Sequence, residues 1–66
     1  MPLIEVTMIE GRSREQKARL IEKLTDAASE AVGAPVETIR VCIREVPGEN
    51  WGIAGKAKGS LNAAVP

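Results

Sequence analysis

The sequence predicts an α/β fold: a β-α-β unit with parallel strands, followed by a short C-terminal hairpin. Period-two apolar alternation occurs twice, over residues 3–10 and 39–46, with one stretch of helical periodicity, residues 14–32, between them. Two strands joined by a single crossover helix run parallel, and the connection is right-handed.

Leu3 to Glu10 reads as the first strand, with Ile4, Val6 and Met8 alternating with Leu3, Glu5, Thr7 and Ile9 to give one apolar face. Gly11 breaks it. Ser13 then suits a helix N-cap, and Gln16, three residues on, completes the capping-box spacing. From Arg14 to about Val32, the residues Leu20, Ile21, Leu24, Ala27, Ala28 and Ala31 form an apolar stripe, while Arg19, Glu22, Lys23, Asp26 and Glu30 face water. Gly33 suits the position past a helix end, and Pro35 blocks continuation. "APVET" has room for a single turn before the second strand, Ile39 to Val46. There Ile39, Val41 and Ile43 share one face and Arg40, Cys42 and Arg44 point the other way. Pro47, Gly48, Glu49 and Asn50 form a turn, and "WGIAGK" a small hairpin. "SLNAAVP" reads as loosely ordered, within a C-terminal tail of about residues 57–66.

At 66 residues the chain is a single domain, 1–66. A chain this short buries only about 60% of the surface its unfolded form exposes. Disulfides, a metal or self-association are the usual remedies. One cysteine forms no intrachain disulfide, and with no histidine a zinc or iron site has almost nothing to use, so no metal is expected. The helix shields one face of the sheet and leaves the other, with Leu3, Thr7, Ile9, Arg40 and Cys42, in need of a cover. A homo-oligomer whose copies extend one another's sheets and cover the open faces is the expected solution.

Nine basic residues balance nine acidic ones and aromatics are 2%, so neither the basic stripe nor the stacking aromatics of a nucleic-acid binder are present. No apolar run approaches the roughly 18 residues of a membrane span, and the N-terminus lacks the pattern of a signal peptide. No nucleic-acid or membrane partner is expected, and the location expected is cytoplasmic.

Without histidine there is no Ser–His–Asp or Cys–His pair. "GIAG" is too short and badly placed for a phosphate loop, and Glu5, Glu10, Glu45 and Glu49 are scattered. Proton chemistry near neutral pH then leaves two groups. One is Cys42, whose mid-strand position also fits a small buried apolar residue. The other is the α-amino group of the chain, of ordinary pKa about 7.7–8.0. Pro2 either starts an edge strand or, once Met1 is removed, presents a free secondary amine. Partial burial and nearby arginines would lower the pKa of that amine toward neutrality. Arg12 lies just past the first strand and Arg40 on the open face of the second. Both are ordinary candidates for solvation or ion pairing, yet two guanidinium groups around a shared cleft also suit a dicarboxylate. Trp51, the only aromatic residue, fits an interface or core anchor as well as a substrate wall.

"PLIEVTMIEGRSREQKARLIEKLTDA", "GAPVETIRVCIREV" and "NWGIAGK" resemble the 4-oxalocrotonate tautomerase family without gaps from Pro2 to about Lys56. The terminal proline, the E-G-R-S-x-E-Q-K turn and the N-W-G-I-x-G segment carry the resemblance. It implies a β-α-β unit that dimerises into a four-stranded sheet, and usually a hexamer built as a trimer of dimers. It also implies a cofactor-independent isomerase, with Pro2 as the catalytic acid/base in a 1,3-keto–enol proton transfer on 2-hydroxymuconate-like dicarboxylates. Arg40 then holds the reacting end and stabilises developing charge, Arg12 binds the distal carboxylate, and Trp51 keeps the site apolar. Ile9 corresponds to a position whose backbone N–H assists through an ordered water. In such proteins these groups come from different subunits, and the implied setting is bacterial aromatic ring-cleavage catabolism.

Related dehalogenases that hydrate 3-haloacrylates carry an arginine where this chain has Ile9 and a glutamate where it has Ile53, which argues against efficient hydration chemistry. The alternatives are another activity of the superfamily, such as phenylenolpyruvate tautomerisation or weak dehalogenation, and a non-catalytic oligomeric binding module.

Overall fold

The computed structural model describes residues 1–59, and the "SLNAAVP" tail, residues 60–66, lies outside them. Strand β1 (Leu3–Ile9) leads into helix α1 (Arg14–Val32), a 3-10 turn (Val36–Thr38), strand β2 (Arg40–Val46) and a second 3-10 turn (Gly48–Asn50). A hairpin of β3 (Gly52–Ile53) and β4 (Lys56–Ala57) follows. β1 and β2 pair in parallel from Leu3↔Arg40 to Ile9↔Val46. The pairing extends one bond past each end: Arg40 N–H donates to the Pro2 carbonyl at 3.0 Å, and Glu10 N–H to the Val46 carbonyl at 2.9 Å.

The second strand begins one residue later than the alternation predicts. Ile39 N–H is already committed to the Val36 carbonyl at 3.2 Å, closing the 3-10 turn, so the ladder starts at Arg40. Ile39 itself, 7% exposed, is the one buried large apolar side chain among the described residues.

The capping box at the start of α1 is fully formed. Ser13 accepts from Gln16 N–H at 3.1 Å, and the Gln16 side chain accepts from Ser13 N–H at 2.9 Å. Ahead of it Gly11 adopts φ 128°, a conformation closed to residues with a Cβ, and this turns the chain from strand to helix. At the other end Gly33, φ 75°, donates its N–H to the Ser29 carbonyl at 2.9 Å.

The apolar stripe of α1 is wider than the surface beneath it. Leu20, Leu24 and Ala28 are half-buried, whereas Ile21, Ala27 and Ala31 are exposed. Two strands about 4.8 Å apart offer less width than a helix about 10 Å across. The helix also leans over β2 rather than β1, tied there by an ion pair between Lys17 Nζ and Glu45 Oε1 at 3.0 Å. The opposite face of the sheet has no cover among the described residues: Leu3 is 60% exposed, and Glu5, Thr7, Arg40, Cys42 and Arg44 are exposed beside it. Cys42 is therefore not a buried core residue in the single chain, because odd positions of β1 and even positions of β2 point away from the helix.

The hairpin turns through Ala54 and Gly55, with φ 52° and 84°. The left-handed conformation costs a residue with a Cβ roughly 1–2 kcal/mol. Residues 57–59, at the start of the expected tail, are held in place: Ala57 lies in β4, Lys58 N–H donates to the Trp51 carbonyl at 2.8 Å, and Gly59 N–H to the Gly48 carbonyl at 3.1 Å.

Two stability effects are expected, each to be checked by urea denaturation at fixed protein concentration. Ser13→Ala removes half of the capping box and lowers stability by about 1 kcal/mol. Ala54→Gly relieves the left-handed strain, less the entropy glycine adds to the unfolded chain, and raises stability by about 0.5 kcal/mol.

Candidate active site

The parallel register divides the candidate residues between the two ends of the sheet. Pro2 and Arg40 meet at the N-terminal end, joined by the bond from Arg40 N–H to the Pro2 carbonyl. Pro2 is half-buried, and the Arg40 side chain is exposed on the open face, where its Nη1 donates to the Glu37 carbonyl at 2.9 Å. That bond steadies the guanidinium and leaves its remaining donors free for a ligand oxygen. With Met1 attached the Pro2 nitrogen is an amide. Met1 is 85% exposed, so the peptide bond behind it is open to a processing enzyme.

At the other end, Ile9, Arg12 and Trp51 line one groove of about 260 Å³, together with Thr7, Met8 and Lys58. Ile9 closes β1, and the Gly11 turn brings Arg12 back beside it. Trp51 follows the second 3-10 turn and is pinned on both sides, its N–H donating to the Gly48 carbonyl at 3.0 Å and its carbonyl accepting from Lys58 N–H. The groove combines an apolar wall with two cations and no carboxylate. A neighbouring groove of about 360 Å³ between β1 and α1 shares Met8 and Arg12 and is bordered by Arg19 and Lys23. The one ion pair among the described residues is Lys17–Glu45, so Arg12, Arg19, Lys23, Arg40 and Lys58 have no carboxylate partner there.

The two groups do not meet within one chain. β1 is 7 residues long, which at roughly 3.3 Å per residue separates its ends by about 20 Å. The shared cleft for Arg12 and Arg40 expected from the open face is thus absent from the single chain. Arg40 leaves the first pair of the ladder, and Arg12 lies beyond the last. Lys58 escaped the sequence reading, since nothing local to it distinguishes a groove cation from a tail lysine. Its signal is the closed hairpin that returns it to Trp51. Among the described residues no cluster of cysteine, aspartate and glutamate could hold a metal ion, and no helix is long and apolar enough to cross a membrane.

Known proteins are similar to this chain along nearly its whole length. A 2-hydroxymuconate tautomerase of Comamonas testosteroni is 60% identical over 61 residues, covering 92% of this chain and 97% of the relative. A probable tautomerase of Ralstonia nicotianae is 57% identical over 60 residues, 91% of this chain and 86% of that one. Among solved structures, TomN, a 4-oxalocrotonate tautomerase homologue in the tomaymycin biosynthetic pathway, superposes with a TM-score of 0.84 at 50% identity, covering 85% of this chain and 86% of that one. A heterohexamer 4-oxalocrotonate tautomerase from Chloroflexus aurantiacus superposes with a TM-score of 0.85 at 44% identity, covering 86% of this chain and 92% of that one. The model of the tautomerase enzyme family matches residues 2–60, starting at Pro2 itself; with the β-α-β topology and the hairpin, this makes the chain a member of the tautomerase family.

Proposed function

We propose that the protein is a cofactor-independent tautomerase of unsaturated 2-hydroxy (2-oxo) dicarboxylates of the 2-hydroxymuconate type, with Pro2 as the proton carrier. The observation that carries this reading is the family match beginning at Pro2, in a chain with no histidine to do the same work. The 60% identity to a 2-hydroxymuconate tautomerase supports the substrate class.

Removal of Met1 frees the Pro2 secondary amine, whose ring holds the lone pair in a fixed direction. The neutral amine takes the proton of the 2-hydroxyl group, the oxygen becomes a carbonyl, and the conjugated double bonds shift. The protonated amine then delivers a proton to C5, at the far end of the dienol, which regenerates the base and gives the conjugated 2-oxo-3-enoate. Arg40, next to Pro2, holds the carboxylate and 2-oxygen at the reacting end and stabilises negative charge as it develops. Arg12 holds the distal carboxylate, Trp51 supplies the apolar wall, and the Ile9 N–H assists through an ordered water.

Because about 20 Å separates these two groups in one chain, the complete site needs residues from more than one copy. The uncovered face with Leu3, Cys42 and Arg40 supplies the surface for such an assembly. A dimer with a four-stranded sheet, and a hexamer of three such dimers, would bring the ends of different chains together. The reading sits naturally in ring-cleavage catabolism in the cytoplasm. The 50% identity to a homologue from a biosynthetic pathway makes a different 2-oxo acid the second reading, which a substrate panel separates.

Pro2→Ala lowers the rate of 2-hydroxymuconate ketonisation, followed by ultraviolet absorbance, by about 10²-fold or more. The intact mass of active protein is expected to correspond to the chain without Met1. A Pro2→Ala variant with the parent's rate, or fully active protein that retains Met1, overturns the role of the amine. The two arginines separate kinetically. Arg40→Ala lowers kcat by about 10²-fold, whereas Arg12→Ala raises KM by about tenfold with little change in kcat.

A further inference from the structure

Lys58 is the one charged residue of the groove to which no role has been given. It is half-buried, its backbone N–H is fixed to the Trp51 carbonyl at 2.8 Å, and Gly59 beyond it is fixed to Gly48. These bonds hold Lys58 beside Trp51, and both line the groove of about 260 Å³ together with Arg12. Lys58 and Arg12 lack a carboxylate partner within 4.0 Å among the described residues, and the carboxylate of Glu45 is taken by Lys17. The remaining lining residues, Thr7, Met8, Ile9 and Trp51, carry no charge. Two positive side chains lining one groove repel each other unless an anion lies between them.

The geometry points to Lys58 as the second cation of a two-point seat with Arg12, one that selects substrates carrying a carboxylate at the end remote from the reacting carbon. This deepens the proposed function and rests on it as far as turnover is concerned. Arg12 contributes a planar fork able to take both oxygens of the carboxylate, and Lys58 a compact charge on a flexible stem. A monocarboxylate reaches Arg40 through its reacting end but leaves the seat empty. Lys58 thus acts on the preference for diacid over monoacid and not on the proton transfer.

The test uses the full-length protein and its Lys58→Met and Lys58→Arg variants. Both variants keep the backbone bond to Trp51, so the hairpin is retained. Trp51 is the only tryptophan and the chain has no tyrosine, so intrinsic fluorescence reports from the groove wall. Titration with adipate and with hexanoate at fixed ionic strength gives binding without chemistry. The expected result is tighter binding of adipate by the parent, a preference reduced about fivefold in Lys58→Met and restored in Lys58→Arg. In ketonisation assays, KM for 2-hydroxymuconate rises by a similar factor in Lys58→Met, while the KM for phenylenolpyruvate does not rise with it. An equal preference in the parent, or the same preference in parent and Lys58→Met, overturns the role of Lys58. A parent that prefers adipate but turns over no enol overturns the proposed function and leaves the two-cation seat standing.

Discussion

The parallel ladder between β1 and β2 is the constraint on which the rest of the structure depends. A crossover helix of 19 residues joins the strands, and the register it permits sets Leu3 against Arg40 and Ile9 against Val46. A shift by one residue would turn Ile4, Val6 and Met8 away from α1 and bring Glu5 and Thr7 under it. The same register makes Arg40 a neighbour of Pro2 and sends Ile9, with the turn to Arg12 behind it, to the far end of the sheet. Arrangement of the candidate site is thus a direct consequence of strand pairing.

That ladder is too narrow to satisfy the hydrophobic demands of the chain. One helix lies over two strands and leans toward β2, and Ile39 is the only large apolar side chain that becomes buried among the described residues. Leu3 and Ile53 remain 60% and 54% exposed, at a cost on the order of 25 cal/mol per Å² of apolar surface left in water. Local devices such as the capping box and the Gly33 cap stabilise the helix, but they do not close a core. Under the proposed function, the burial missing from one chain and the catalytic residues missing from one end of the sheet come from the same source, another copy. Assembly would then complete the fold and the active site together.

The chemistry expected of each end differs in kind. Under the proposed function, Pro2 and Arg40, joined by a backbone hydrogen bond at one end of the sheet, handle the proton and the developing charge. The groove of Ile9, Arg12, Trp51 and Lys58 combines apolar side chains with two cations and, under the same reading, binds the remote end of the substrate. A substrate with acid groups at both ends matches that division: the reacting end needs a base and an electrostatic partner, while the remote end needs only to be held. The small C-terminal hairpin does more than terminate the chain, since its bonds from Lys58 and Gly59 back to Trp51 and Gly48 form one side of the groove.

The sequence by itself determined the β-α-β order, the helix limits of Arg14 and Val32, the capping box and the hairpin, because each is encoded by periodicity or by local backbone chemistry. It also determined the family, through Pro2, the E-G-R-S-x-E-Q-K turn and the N-W-G-I-x-G segment. Only the tertiary structure decided that Arg12 and Arg40 lie at opposite ends of the sheet, that Cys42 faces outward, that the second strand starts at Arg40, and that Lys58 returns to the side of Trp51. Those outcomes depend on register, on competition for single N–H groups and on long-range closure of the hairpin. Local pattern carries none of these, because they are fixed by which distant carbonyl each N–H finally meets.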